Sequence, residues 1–133
     1  STKSAYPTVA DHVLRAMRSW RVYHFHDTSA SSAIKATADI NDNADLRDDA
    51  SNLAAFLYYL QEKHPDSYRK IVNTVRLVAP FFDDFVLRPT LHNEEKIRLE
   101  WLERGSDAYF NAHALSDGTL RFICLATLLM MPG

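Results

Sequence analysis

Leu115-Ser116-Asp117-Gly118-Thr119-Leu120-Arg121 runs directly into the apolar stretch from Phe122 to Met131. A polar, Gly-containing turn ahead of an apolar run is the start of a helix. The first backbone N–H groups of such a helix have no partner within it, and its dipole puts partial positive charge there. With the Ser116 and Thr119 hydroxyls beside them, these groups suit a phosphate. Read from spacing alone, the same residues also make an ordinary capped helix, with Ser116 or Asp117 as N-cap and Thr119 in the first turn.

Working back from that helix, the periodicity is first 2 and then 3.6. Ala108, Phe110 and Ala112 alternate with Tyr109, Asn111 and His113, which predicts a strand. Arg104-Gly105-Ser106-Asp107 reads as the turn before it. Ile97, Leu99 and Trp101 alternate with Lys96, Arg98 and Glu100, which predicts one half-buried strand, and Phe82 to Leu87 is also strand-like. Upstream, Tyr68, Ile71, Val72, Val75 and Val78 form a helical stripe that Pro65 opens and Pro80 ends. Leu53, Phe56, Leu57 and Leu60 fall at i, i+3, i+4 and i+7, with Ser51 or Asn52 as the cap. Thr28 to Asp49 is polar and reads as a long loop. Pro7, Val9, Val13, Leu14, Met17 and Trp20 predict a first helix, and Arg21 to Phe25 a short strand. The expected fold class is α+β. It comprises a helical hairpin at about 51–79, antiparallel strands at about 82–114 in a meander, and a closing helix at about 116–131, all in one domain over 1–133.

Composition bounds the function. At 133 residues with 47% hydrophobic and 24% charged residues, the chain can bury a core of its own. The apolar run from Phe122 to Met131 is about half a membrane span, so a buried helix is expected and no membrane partner. Ser1-Thr2-Lys3-Ser4 has no apolar segment behind it, so no signal peptide is read there. The single cysteine, Cys124, lies inside the apolar helix. It implies no disulfide, and a reducing, cytoplasmic setting is expected. A net charge of −2 argues against a dominant nucleic-acid footprint, though a local basic stripe remains open.

Several residue sets could carry chemistry and have plainer readings. Asp39, Asn41 and Asn43 have calcium-loop spacing, but Ala44 stands where the turn needs Gly and Ala50 where Glu should bind, so a solvated loop is preferred. His24 and His26 share a strand face without a third ligand. Asp83 with Asp84 and Glu94 with Glu95 are adjacent pairs that a strand would point apart, poor candidates for acid–base work. Phe81, Phe82 and Phe85 are read as core rather than as a base-stacking platform. Asn52 is read as a helix cap.

The Leu115–Thr119 segment resembles the LSGGQ-type signature of ABC-class ATPases in the form used by RecF-, SMC- and OLD-like nucleotidases. Leu115 and Ser116 match, Asp117 stands at the first Gly, Gly118 matches the second, and Thr119 replaces Gln or Glu. Trp20–Asp27, Ser51–Leu57, Val78–Phe82 and Ser116–Phe122 look like successive blocks of a bacterial family of AAA/ABC-hybrid ATPases, in the family's order. The resemblance implies a P-loop NTPase of ABC type. The signature would act in trans on the γ-phosphate of ATP held by a second protomer, in a head-to-tail dimer. Ser116 and the N–H groups of Gly118 and Thr119 would be donors, Asp117 would cap the helix, and Arg121 would reach phosphate or partner. ATP and Mg²⁺ would be cofactors of the whole protein, and DNA a possible partner.

A P-loop needs G-x-x-x-x-G-K-[ST]. The only glycines are Gly105, Gly118 and Gly133, none of which precedes Lys, so the sequence has no Walker A, and no apolar strand ends in paired acids. The expectation is therefore an internal piece of a longer ATPase, lying between Walker A and Walker B. It would be a cut or processed product that by itself binds and hydrolyses no ATP. The competing expectation is a non-catalytic interaction domain using the helical hairpin. A nucleic-acid-binding module is a third.

Overall fold

Leu53, Ala54, Ala55, Phe56, Leu57 and Leu60 are all buried, which makes the first helix of the hairpin a core helix. It is α1, Leu53–Lys63, in a computed structural model that describes residues 33–132. The helix expected from Pro7, the strand expected over Arg21 to Phe25, the His24/His26 pair and the Trp20–Asp27 block lie outside the described residues. Pro65 occupies the first turn of α2, Pro65–Val78, where its missing N–H costs nothing, and Asp66 beside it favours the positive end of the dipole. Tyr68, Ile71, Val72 and Val75 bury the inner face of α2 against α1. Val78, the last residue of the expected stripe, is exposed instead. The helix stops there, and the chain turns inward at Ala79, which is buried.

The β region corrects the expected single meander. Two separate three-stranded antiparallel sheets are present. One contains β1 (Ala38–Asp39), β3 (Pro89–Thr90) and β4 (Asn93–Ile97) in the order β1-β4-β3. The other contains β2 (Phe82–Val86), β5 (Glu100–Glu103) and β6 (Tyr109–Asn111) in the order β2-β5-β6. The alternation of Ile97, Leu99 and Trp101 is real in burial but is not one strand. Pairing breaks at Arg98 and Leu99, and the chain passes from one sheet to the other. Alternation records which side chains face the core; it does not record which neighbour the backbone bonds. In β2 a register shift between Phe82 and Asp84 is a bulge, so Phe82 and Phe85, three apart, both face inward. Trp101 pairs across from Phe85 and Phe110. Its ring lies 5.1 Å from Phe110 and 6.1 Å from Phe82, and its indole N–H donates to the Asn111 carbonyl at 3.1 Å. Gly105, at φ 77°, supplies the left-handed residue in the turn between β5 and β6.

The segment expected as a loop up to Asp49 carries structure. Residues 33–35 are helical, Ile34 is buried, and β1 pairs with β4 through Ala38 opposite Ile97. The stretch that follows wraps around one side chain. Asn52 is fully buried, donates to the carbonyls of Asp42 (2.8 Å) and Asp45 (2.7 Å), and accepts from the Arg47 N–H (2.9 Å). Asn52 does precede α1, but its side chain makes no cap bond, a correction to its reading as a cap. All three of its side-chain hydrogen bonds go to the preceding turn.

A short 3₁₀ turn, Ala112–Ala114, leads from β6 into α3, Asp117–Leu129. Leu120, Ile123, Cys124, Ala126, Thr127 and Leu128 are buried, and the Thr127 hydroxyl donates back to the Ile123 carbonyl at 2.8 Å. At about 1.5–3 kcal/mol for each large apolar side chain removed from water, burial holds α3 far more strongly than intrinsic propensity does. α3 packs on α2, so its N-terminus is presented by the same core that anchors the hairpin.

Candidate functional site

The site is the exposed mouth of α3. Buried Leu115 pins the entry of the chain, and Ser116, at φ −67° and ψ 156°, takes the extended conformation of an N-cap. Its Oγ accepts from the Thr119 N–H at 3.1 Å and lies 2.9 Å from Thr119 Oγ1, and its carbonyl accepts from Leu120 N–H at 3.0 Å. Ser116 therefore caps the helix. The expectation that Asp117 caps it is corrected: Asp117 is the first helical residue, and its carboxylate lies 3.7 Å from Lys35 Nζ. A carboxylate turned toward a lysine leaves the helix mouth less negative than the bare sequence implies.

Two backbone donors stay open. Among the described residues, no acceptor is bonded to the N–H of Asp117 or of Gly118. The Thr119 N–H, one of the expected phosphate donors, is already taken by Ser116 Oγ. The bond between the Ser116 and Thr119 hydroxyls uses one of their two hydrogens, so the open set is two backbone N–H groups and one hydroxyl on one exposed turn. Gly118 has no positive φ, and a Cβ built there meets only Ser116 Oγ, at 3.9 Å, an ordinary contact. Among the described residues nothing in the packing requires glycine at this position. Arg121, one turn further, is half-buried, and its Nε is buried with no hydrogen-bond partner among the described residues. A buried donor without an acceptor is costly, so this guanidinium calls for one.

The remaining candidates are structural. Asp84 accepts from the Tyr68 hydroxyl at 2.6 Å and from its neighbour's N–H, that of Phe85, at 2.8 Å. Burial first, then Asp84, pushes the Tyr68 phenol well above its ordinary 10.0. Asp83 faces Arg76 at 3.4 Å. Asp39 accepts from the Asn41 N–H, and the Asn43 amide turns toward the Ile40 carbonyl, an arrangement of turns. Burial raises the pKa of the Cys124 thiol, so it remains an unreactive core group. Sequence reading missed Lys35, which is separated from Asp117 by most of the chain and meets it only through packing.

With this geometry in hand, the chain can be set beside known proteins. The family model described as "AAA domain, putative AbiEii toxin, Type IV TA system" matches residues 8–133. The chain belongs to this AAA-domain family. Its α+β fold of helical hairpin and two small antiparallel sheets is consistent with a P-loop NTPase, and the family's chemistry is that of AAA-type ATPases, which use ATP and Mg²⁺. Neither a curated protein nor a solved structure gives a match. The residues present fit part of what such an ATPase needs. The α3 mouth offers donors for a phosphate, whereas no group of three His, Cys, Asp or Glu side chains among the described residues is placed to hold a metal ion. No helix among them is long and apolar enough to cross a membrane.

Proposed function

We propose that this AAA-domain chain is the signature-bearing part of a RecF/SMC/OLD-like, ABC-type ATPase, acting in the cytoplasm. ATP draws two protomers head to tail, and Ser116–Thr119 of one closes on the γ-phosphate bound by the other. The observation that carries this reading is Gly118. Glycine in a helix costs up to about 1 kcal/mol relative to alanine, and none of the described residues crowds a Cβ there. A group approaching from outside accounts for it. The Asp117 and Gly118 N–H groups and the Ser116 hydroxyl then bind negative charge at the positive end of α3, with Lys35 holding the Asp117 carboxylate. Arg121 supplies a second positive charge whose Nε gains an acceptor. Mg²⁺ and the Walker residues, when present, polarise the phosphoryl group. Because the sequence has no Walker A, the chain alone turns over no ATP.

Trans complementation tests this in the gene-length protein. Ser116→Arg and a substitution of the Walker A lysine should each abolish hydrolysis. A mixture of the two variants should regain activity, because a mixed dimer holds one intact composite site. Full activity of the Ser116→Arg protein would remove the signature reading.

A second reading rests on the far end of the hairpin. Leu77, Val78 and Phe81 are 82%, 53% and 46% exposed, close together in the chain. In a non-catalytic interaction domain this apolar corner is the contact surface and Ser116–Thr119 only a helix cap. Leu77→Asp would then abolish association, while Ser116→Arg would leave it intact.

A further inference from the structure

The break at Arg98 and Leu99 that splits the expected strand also opens a groove where the two sheets meet. Its volume is about 770 Å³, within the range of ligand sites. The walls come from four places: Thr37 ahead of β1, Arg88 between the sheets, the β3–β4 hairpin with Lys96, and Arg98 with Glu100 at the start of β5. Arg88, Lys96 and Arg98 bring three positive charges against the single carboxylate of Glu100. Arg88 Nε lies 3.8 Å and Arg98 Nη2 3.9 Å from Glu100, so this buried carboxylate braces both guanidinium groups. Lys96 pairs with no carboxylate among the described residues. Tyr109, 54% exposed, also lines the groove, and the Arg88 guanidinium sits over its ring, 4.9 Å from the centre. On a chain of net charge −2, this groove is a local reversal of sign.

We propose that this groove binds a single strand of nucleic acid. Lys96, Arg88 and Arg98 would meet backbone phosphates, and a base would stack on the aromatic–guanidinium pair of Tyr109 and Arg88. Cations track a phosphate backbone, and a π surface takes any base, which together make a sequence-tolerant site. An acidic peptide would use the cations and leave the Tyr109 platform idle. A free nucleotide would engage one phosphate cluster and leave the rest of the groove unfilled. The site is separate from the α3 mouth, and its existence does not depend on the ATPase reading.

The test is fluorescence anisotropy of the 133-residue chain with a labelled thymidine 15-mer. Three neutralised phosphates give a slope of about −2 in log K against log salt, so affinity should fall roughly 20-fold between 50 and 200 mM salt. Lys96→Ala should reduce that slope by about 0.7, as one phosphate contact is lost. Tyr109→Ala should weaken binding at least about fivefold with the slope unchanged, the signature of lost stacking. Arg69→Ala, outside the groove, should change neither. Circular dichroism establishes that each variant is folded. Failure of the strand to bind, equal binding of a poly-glutamate peptide or of a mononucleotide, or indifference to both Lys96→Ala and Tyr109→Ala would overturn the proposal.

Discussion

Lys35 Nζ lies 3.7 Å from Asp117 Oδ1, and so ties the helical turn at residues 33–35 to the first residue of α3. The lysine side chain is 23% exposed and the aspartate 51%, a pair open to solvent on one side. Such pairs are worth about 0.2–1 kcal/mol and weaken with salt. A double-mutant cycle of Lys35→Met and Asp117→Asn, followed by urea unfolding, should give a coupling in that range at low salt and little at about 1 M salt. Zero coupling at low salt would show that the contact does not form in solution.

Gly118→Ala separates the demands of the fold from those of function. A Cβ at Gly118 has room, so the substitution should leave stability unchanged or raise it by up to about 1 kcal/mol. If a phosphate closes on this turn, the same variant should lose most ATP-dependent activity in the gene-length protein. Ser116→Ala should behave differently, costing about 1 kcal/mol through loss of the cap to Thr119 N–H. Paired melting curves and ATPase rates for the two variants give the comparison. A destabilised Gly118→Ala protein would return the glycine to a structural role.

Asn52 is a much stronger structural determinant than a cap. Asn52→Ala strands two carbonyls and one N–H at a fully buried position, at about 1–3 kcal/mol for groups left unpaired. We expect a loss of about 3 kcal/mol and faster amide exchange at Arg47. Asn52→Asp keeps the shape but replaces the donor amide with an acceptor facing the Asp42 and Asp45 carbonyls, and should destabilise at least as much. A loss below about 1 kcal/mol for both would mean that the turn holds without it.

Tyr68 links stability to alkaline pH. Its folded pKa is raised above the unfolded value, chiefly by burial and next by the bond to Asp84. The neutral phenol is therefore favoured in the folded state. Its contribution is complete below the ordinary value of 10.0 and declines as pH rises beyond it, because only the unfolded chain then releases the proton. Tyr68→Phe should cost about 1 kcal/mol near neutral pH and flatten the fall in stability above pH about 10. Unchanged alkaline sensitivity in Tyr68→Phe would assign the effect to other tyrosines.

The two hairpin helices, the Pro65 start and the Ser116 start of α3 were legible in the sequence because each depends on residues within one or two turns. Periodicity and capping are local, so a short window holds all the information. The capped N-terminus of α3 was legible for the same reason. Lys35 was not, since a partner that arrives from across the chain leaves no trace in spacing. Asn52 was misread because caps and buried clamps use the same residue type at the same offset. Only burial and the positions of the Asp42 and Asp45 carbonyls tell them apart.

What the sequence determined by itself is therefore the set of elements and the faces they bury: α1 and α2 as a hairpin, strand-forming segments between Phe82 and Asn111, and α3 with an open N-terminus. Only the tertiary structure decided how those segments pair. Burial of Ile97, Leu99 and Trp101 is encoded in their alternation, but the backbone donors and acceptors of Arg98 and Leu99 carry no address. The bulge in β2 and the packing of Phe82, Phe85 and Trp101 accompany two small sheets rather than one meander. That arrangement gathered Arg88, Lys96, Arg98 and Tyr109 around one groove. A strand's neighbours are chosen by the free energy of the whole core, which no window of a few residues contains.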